Sequence, residues 1–321
     1  MPLLAIARNA FLEAIRQPIH AVLLCGALLA LVLNVNIAAY TLEDDNKLLV
    51  DLGLSTLFLT GLLMAAFTAT STLTREIENK TVVTVVSKPV SRWTVIVGKF
   101  LGVAAALASA YALLAVAFLI TVRHRVQTTV RVEDTYDGPV IAFGLLAFLI
   151  TLVSAGLANY LYRRPFPSTF AVVGCGAAVV AWGLVSCISR DWKLQSPVVD
   201  FNPQLMIGLT MVFEAVVVLT AVAVAASTRL SRLATLVVCI GVFLLGLVGE
   251  YLLSVTTAGG RLVAPMAAVV PNFQFFWPAD ALTQGHPIPL SYLASVTLYA
   301  GCLVTAALGL AVLLFQTRDV G

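Results

Sequence analysis

Eight long apolar stretches constrain this chain more than any motif in it. They lie near residues 19–40, 52–72, 94–121, 140–161, 170–188, 205–227, 233–254 and 290–315. Crossing roughly 30 Å of hydrocarbon takes about 20 helical residues. A backbone immersed in lipid must satisfy its own N–H and C=O groups, so spans of this length are helices. Composition agrees: 60% of the residues are hydrophobic and 11% charged, whereas about a quarter of a soluble domain is charged. The expected fold is an all-α polytopic transmembrane bundle of about eight spans. The stretch 170–188 is short and rich in Gly and Ala. Were it and its neighbour re-entrant, six spans would remain and both termini would still share one side.

Charge sets the orientation, because Lys and Arg accumulate in cytoplasmic loops. With the N-terminus inside, the inner segments hold twelve basic residues and four acids, and the outer segments seven basic residues and ten acids. Both termini are therefore expected in the cytoplasm. Before the first span, residues 1–18 place Leu4, Ala7, Phe11 and Ile15 at spacings of three and four, with Arg8, Glu13 and Arg16 elsewhere. This pattern predicts an amphipathic helix in the membrane interface, ahead of a transmembrane domain over 19–321. An ordinary helix cap on the first span is the other reading. No small-residue cleavage site follows the first apolar run, so a cleavable signal peptide is not expected.

Several chemistries lack the residues they need. The three His and five Cys are scattered without ligand spacing, which supports neither a metal site nor a disulfide framework. No cluster of His, Asp, Ser or Cys supplies a nucleophile and base, which disfavours a membrane-embedded enzyme. A GxxxxGK[ST] phosphate loop is missing: Gly98-Lys99 is followed by Phe100 and has no glycine five residues before it. No cofactor is expected on this chain, and no nucleic-acid partner; its surroundings are the lipid bilayer.

The richest functional signal is residues 71–102, which hold five of the nineteen basic residues between two apolar runs. Glu76, Glu78 and Lys80 precede a β-branched apolar patch from Thr81 to Val86, and Lys88-Pro89 breaks the chain before Ser91, which can cap the next helix. A protrusion with an acidic end, an apolar middle and a basic end suits docking to a soluble partner, with apolar contacts for affinity and charges for register. It equally suits a solvated cytoplasmic loop.

The strings Arg75-Glu76-Ile77-Glu78-Asn79-Lys80-Thr81, Ser87-Lys88-Pro89-Val90-Ser91-Arg92 and Gly98-Lys99-Phe100-Leu101-Gly102 resemble the cytoplasmic loop of ABC-2 type permeases, the membrane subunits of ATP-binding-cassette exporters. A weaker similarity continues at Ser227–Ser231, Pro271–Phe276 and Leu314–Arg318. The resemblance implies that the loop 73–93 is a coupling helix docking on a cytosolic ATPase subunit, through Arg75, Glu76, Ile77, Glu78, Asn79, Lys80, Thr81, Lys88, Pro89 and Arg92. ATP and Mg would then sit on that partner. A second permease subunit, a copy or a paralogue, would complete an exporter in the cytoplasmic (inner) membrane of a prokaryote. That family commonly has six spans per subunit, so a count of eight makes an extra pair around 140–188.

Two carboxylates, Glu214 and Glu250, fall inside spans, where each costs about 2.5 to 3.5 kcal/mol or more. They are candidates for a polar outer gate or a shared proton; the alternative is that each reaches the outer interface or pairs with a nearby hydroxyl. The segment 255–289 contains five prolines with Phe273, Phe275, Phe276 and Trp277. It is expected as broken or re-entrant pieces capping the outer mouth, or as an interfacial aromatic belt. Gly98 and Gly102 form a GxxxG that permits close helix contact. Residues 122–139 alternate as an outer hairpin would, with their charges on a solvated face. Two further function classes fit in part: a self-sufficient secondary transporter, against which only two membrane carboxylates speak, and a non-transporting anchor that recruits an ATPase.

Overall fold

The computed structural model describes residues 2–38, 45–78, 91–125, 137–255 and 271–316, with side chains described outside 45, 73–78 and 249–255. The long elements are α1 (Pro2–Ile15), α2 (Pro18–Ala38), α3 (Asp45–Glu78), α4 (Arg92–His124), α5 (Gly138–Tyr162), α6 (Phe166–Cys187), α7 (Pro203–Ser227), α8 (Arg232–Val255) and α10 (Leu290–Gln316); a six-residue α9 (Ala279–Gln284) precedes the last. Seven of them are long and apolar enough to cross a membrane, and α8 supplies a further apolar helix of 24 residues. The protein is a polytopic helical membrane bundle. The six-span alternative fails because α6 runs unbroken through 22 residues. Its Gly and Ala residues narrow the helix without interrupting it, since every backbone bond closes within the segment.

Helix boundaries follow local chemistry. Ser91 caps α4 by accepting from the Thr94 N–H, and Asn202 caps α7 by accepting from the N–H groups of Gln204 and Leu205 ahead of Pro203 at its first turn. The turn between α5 and α6 takes three residues, with Arg163 in the left-handed region at φ 52° and Asn159 Nδ2 donating to the Arg164 carbonyl at 2.8 Å. A turn this short makes α5 and α6 an antiparallel hairpin.

The end of the bundle that holds α1 is called basal below, and the opposite end distal. α7 is the central post: Leu209, Val212, Val216, Leu219 and Val224 are buried, and α3, α4, α8 and α10 all pack on it. The α5–α6 hairpin stands outside this group. It leans on the body mainly through α6 against α4 and α2, while much of α5 is exposed.

Lipid is as apolar as leucine, so helices inside it associate through tight packing and hydrogen bonds more than through a hydrophobic force. α1 crosses closely over the start of α4. A Cβ built on Gly102 would lie 2.3 Å from the Ala7 carbonyl oxygen and 2.6 Å from the Ala10 Cβ, and one on Gly98 would lie 2.9 Å from Ile6 Cγ2. The GxxxG pair thus receives α1, whose buried face runs through Ala10 and Ala14. Of the expected apolar face, Ile15 is buried at 4% whereas Leu4 is 63% exposed.

At the distal end, Arg123 and Asp137 correct the expectation of a solvated face. Asp137 is fully buried, caps α5 by accepting from the Val140 N–H at 3.2 Å, and pairs with Arg123 and Arg190, each at 3.6 Å. Arg123 also pairs with Asp200 at 3.2 Å and donates to the Ile188 carbonyl. The cluster fastens the connection 188–202 to the ends of α4 and α5. Residues 126–136 of the expected hairpin lie outside the described residues.

Gly102→Ala should lower stability by about 1–3 kcal/mol through overpacking, visible as a reduced unfolding temperature of the purified protein. Gly241→Ala, where a Cβ meets open space, should not. At the distal end, Arg123→Gln leaves Asp137 short of its buried partner and should cost about 3 kcal/mol. Arg190→Gln, at a side chain that is 40% exposed, should cost under about 1 kcal/mol in the same assay.

Candidate functional site

The basal end carries the segment that the sequence singled out. α3 has 34 residues and α4 has 33, so each is roughly 50 Å long against about 30 Å of hydrocarbon. The apolar part of α3 ends at Thr72, and the helix continues to Glu78. Arg75, Glu76, Ile77 and Glu78 therefore lie on its last turns, with side chains outside those described. Asn79, Lys80, Thr81, Lys88 and Pro89 lie outside the described residues altogether.

Arg92, the first residue of α4, is described. Its Nη1 donates to the Gln316 carbonyl at 2.7 Å and to the Phe315 carbonyl at 3.4 Å, with the guanidinium 6.0 Å from the Phe315 ring centre. From another direction Arg229, in the turn between α7 and α8, donates through Nε to the Leu314 carbonyl at 3.0 Å. Two arginines from separate elements thus hold the last carbonyls of α10, where unpaired acceptors and the negative helix end favour cations. A third basic residue, Lys99, is buried two turns along α4, and its Nζ donates to the Thr72 carbonyl at 2.7 Å. The flanks of the loop are thereby tied to each other and to the chain's last helix. The sequence marked Arg92 as a docking residue but gave no sign of its inward partners, which lie more than two hundred positions away.

Near the distal end, residues 271–289 are broken, with a 3-10 turn over Phe273–Phe276 followed by α9. The turn enters the bundle rather than lying across it. A Cβ on Gly246 of α8 would be 2.2 Å from the Pro271 carbonyl oxygen, so glycine there lets the two backbones meet. Phe273 and Phe276 are buried, Phe275 is half exposed, and Phe273 and Trp277 sit edge-on to Phe58 of α3 at 6.5 and 6.0 Å. Polar groups of the turn find partners on the walls. The Asn272 N–H donates to Tyr299 Oη at 2.9 Å, and Gln274 Nε2 donates to the Leu247 carbonyl at 2.7 Å. These bonds are what allow irregular backbone at this depth.

Glu214 meets a hydroxyl. Thr297 Oγ1 of α10 lies 2.6 Å from its Oε1, and Oε2 is buried with no hydrogen-bond partner among the described residues. Glu250 is on α8, with its side chain outside those described. Among the described residues no group of His, Cys, Asp and Glu is placed to hold a metal ion.

Residues 4–158 match the family described as ABC-2 family transporter protein. The matched stretch is just under half of the chain, which over it is similar to that family. The match takes in α1 to α4, the loop between α3 and α4, and most of α5; the weaker similarities at 227–231, 271–276 and 314–318 lie beyond it. No curated protein matches the chain.

Thr297→Val should destabilise the protein by about 1 kcal/mol, because it removes the hydroxyl that meets the half-buried Glu214 carboxyl. Replacing both groups, as Thr297→Val with Glu214→Met, should recover most of that loss, since an apolar pair leaves nothing unsatisfied. Unfolding temperatures of the single and double variants check this, and a double variant less stable than Thr297→Val would contradict it.

Proposed function

We propose that this chain is the permease subunit of an ABC-2 type exporter in the cytoplasmic membrane of a prokaryote. A separate cytosolic ATPase subunit binds ATP and Mg, and its closure drives the transport step. The basal end faces the cytoplasm, in keeping with the distribution of Lys and Arg. The loop 73–93 docks on the ATPase, with Glu76, Glu78 and Lys80 fixing register and the patch Thr81–Val86 supplying apolar contact. Two permease subunits, identical or paralogous, face each other.

The observation that carries this reading is the pair of helices flanking the loop. α3 and α4 rise through the whole bundle, and α4 begins at an arginine fastened to the end of α10. A push on the loop would move these rods together, and α10 with them, because packed helices shift as units rather than deform. The aromatic turn at 273–277 and the Glu214–Thr297 contact stand further along the same bundle, about midway through it, where such a movement would open or close a passage. On this reading Glu214, Glu250, Phe273, Phe275, Phe276 and Trp277 line or bound the outer gate.

Co-purification with candidate cytosolic ATPases tests the reading, comparing the natural chain with a Glu76→Arg, Glu78→Arg double variant. A stoichiometric complex is expected for the natural chain, with ATP hydrolysis that responds to the permease, and both should be lost in the variant while membrane insertion is unchanged. Retention of no ATPase by an intact membrane fold would leave the loop a solvated connection and favour a secondary transporter.

A further inference from the structure

The α5–α6 hairpin does not close flush against the body. α6 packs on α4 and α2, whereas α5 and α2 diverge, leaving a cleft walled by these two helices and floored by α4 and α6. Its volume is about 380 Å³, within the range of about 300–1,000 Å³ that small-molecule sites occupy. Leu28 and Leu31 of α2, Leu113 and Ala117 of α4, and Phe170 of α6 face into it. The stretches that contribute, Cys25–Val32 of α2 and Gly144–Thr151 of α5, are the middles of spanning helices, so the cleft lies at hydrocarbon depth.

Three observations select the occupant. The lining hydroxyls are already committed: Thr121 Oγ1 donates to the Phe118 carbonyl at 2.8 Å and Thr151 Oγ1 to the Ala147 carbonyl at 2.7 Å. A water needs two to four polar partners to stay in a cavity, and this one offers a single further heteroatom, the Cys25 thiol. A polar or charged ligand would be stranded there for the same reason. The rim, moreover, runs without a break into the lipid-facing surface, with Leu29 60%, Val32 58%, Leu145 59% and Phe148 44% exposed. A hydrocarbon chain entering sideways from the bilayer therefore crosses no polar barrier. At Gly144, on the α5 wall, a Cβ would meet nothing within 4 Å, so the wall is set back where a chain would pass.

We propose that the cleft between α2 and α5 is a binding site for one acyl chain of a bilayer phospholipid, which fills the seam between the α5–α6 hairpin and the rest of the bundle. The headgroup stays at the membrane surface, and affinity comes from apolar contact along the chain. The site is independent of the ATPase coupling proposed above, because it requires only that the bundle stands in a membrane.

The full chain in phospholipid nanodiscs doped with a phospholipid bearing a diazirine on one acyl chain provides the test, with adducts mapped by peptide mass spectrometry. Adducts should concentrate on Cys25–Val32 and Gly144–Thr151, saturate with probe, and be competed by unlabelled phospholipid. Gly144→Phe adds a ring at a lining position where a Cβ meets open space, and should reduce those adducts about tenfold, equivalent to about 1.4 kcal/mol. Gly156→Phe, on the same helix outside the cleft and also facing open space, should leave them unchanged. Unfolding temperatures near that of the natural chain would show that both variants fold. Adducts spread evenly over all lipid-facing helices, or unaffected by Gly144→Phe, would mean boundary lipid only and would overturn the proposal.

Discussion

Inside a membrane the backbone cannot borrow hydrogen bonds from solvent, and apolar surface gains little by leaving lipid for protein. What remains to hold helices in fixed relation is close packing and the few polar contacts between them. The crossing of α1 on Gly98 and Gly102 is the strongest local use of the first. With no Cβ on either glycine, the backbone of α1 sits against that of α4, and Ala10, Ala14 and Ala106 continue the flat face beyond it. An element that would otherwise float in the interface becomes part of the rod that leads from the loop at 73–93 into the bundle. The remainder of the basal end is organised around that rod.

Polar contacts fix what packing leaves loose, and they occur where helices end. At the base, Arg92 and Arg229 converge on the carbonyls of α10 while Lys99 takes one from α3. At the distal end, Arg123, Asp137, Arg190 and Asp200 draw the connection 188–202 over the ends of α4 and α5. Midway, Asn34 Nδ2 of α2 donates to Thr56 Oγ1 of α3 at 3.0 Å. Some of these contacts join consecutive helices and others join elements far apart in sequence, so neighbours are held at both ends of the bundle. α4 takes part in several of them: it carries α1, meets α3 through Lys99 and α10 through Arg92, and ends at Arg123. A mechanical input delivered near residue 92 would be shared widely for this reason.

Much of the fold was legible because length and hydropathy are one-dimensional. All eight apolar stretches are helices, seven with ends within about four residues of those expected and α3 extending six or seven residues further at each end, and Ser91 caps α4 as its position suggested. The burial of Arg123 and Asp137 was not legible. Alternation around 122–139 looks the same whether charges face water or one another, and their partners Arg190 and Asp200 enter from a connection some fifty residues further on. For the candidate site, the sequence found the loop by its charge and resemblance, while Arg92's grip on α10 depends on a fold that brings opposite ends of the chain together.

The aromatic segment shows why composition pointed to a gate without specifying one. Five prolines among residues 255–289 exclude a spanning helix, yet they leave open whether Phe273, Phe275, Phe276 and Trp277 lie on the rim or inside. Placement is decided by two features elsewhere in the chain. Gly246 lets the Pro271 backbone approach α8, and Tyr299 Oη accepts the N–H that a broken backbone would otherwise leave unpaired. Once these are present, the aromatic rings have somewhere to go: Phe58 and Phe243 receive Phe273 edge-on at 6.5 and 5.7 Å, and the Tyr299 ring stacks on Phe276 at 6.0 Å. A turn held by edge contacts and a handful of hydrogen bonds is easier to withdraw than a spanning helix, because withdrawing it costs no intrahelical ladder. That difference in local stability is what a movable element needs, and it coincides with the level at which Glu214 presents a carboxyl oxygen without a partner among the described residues.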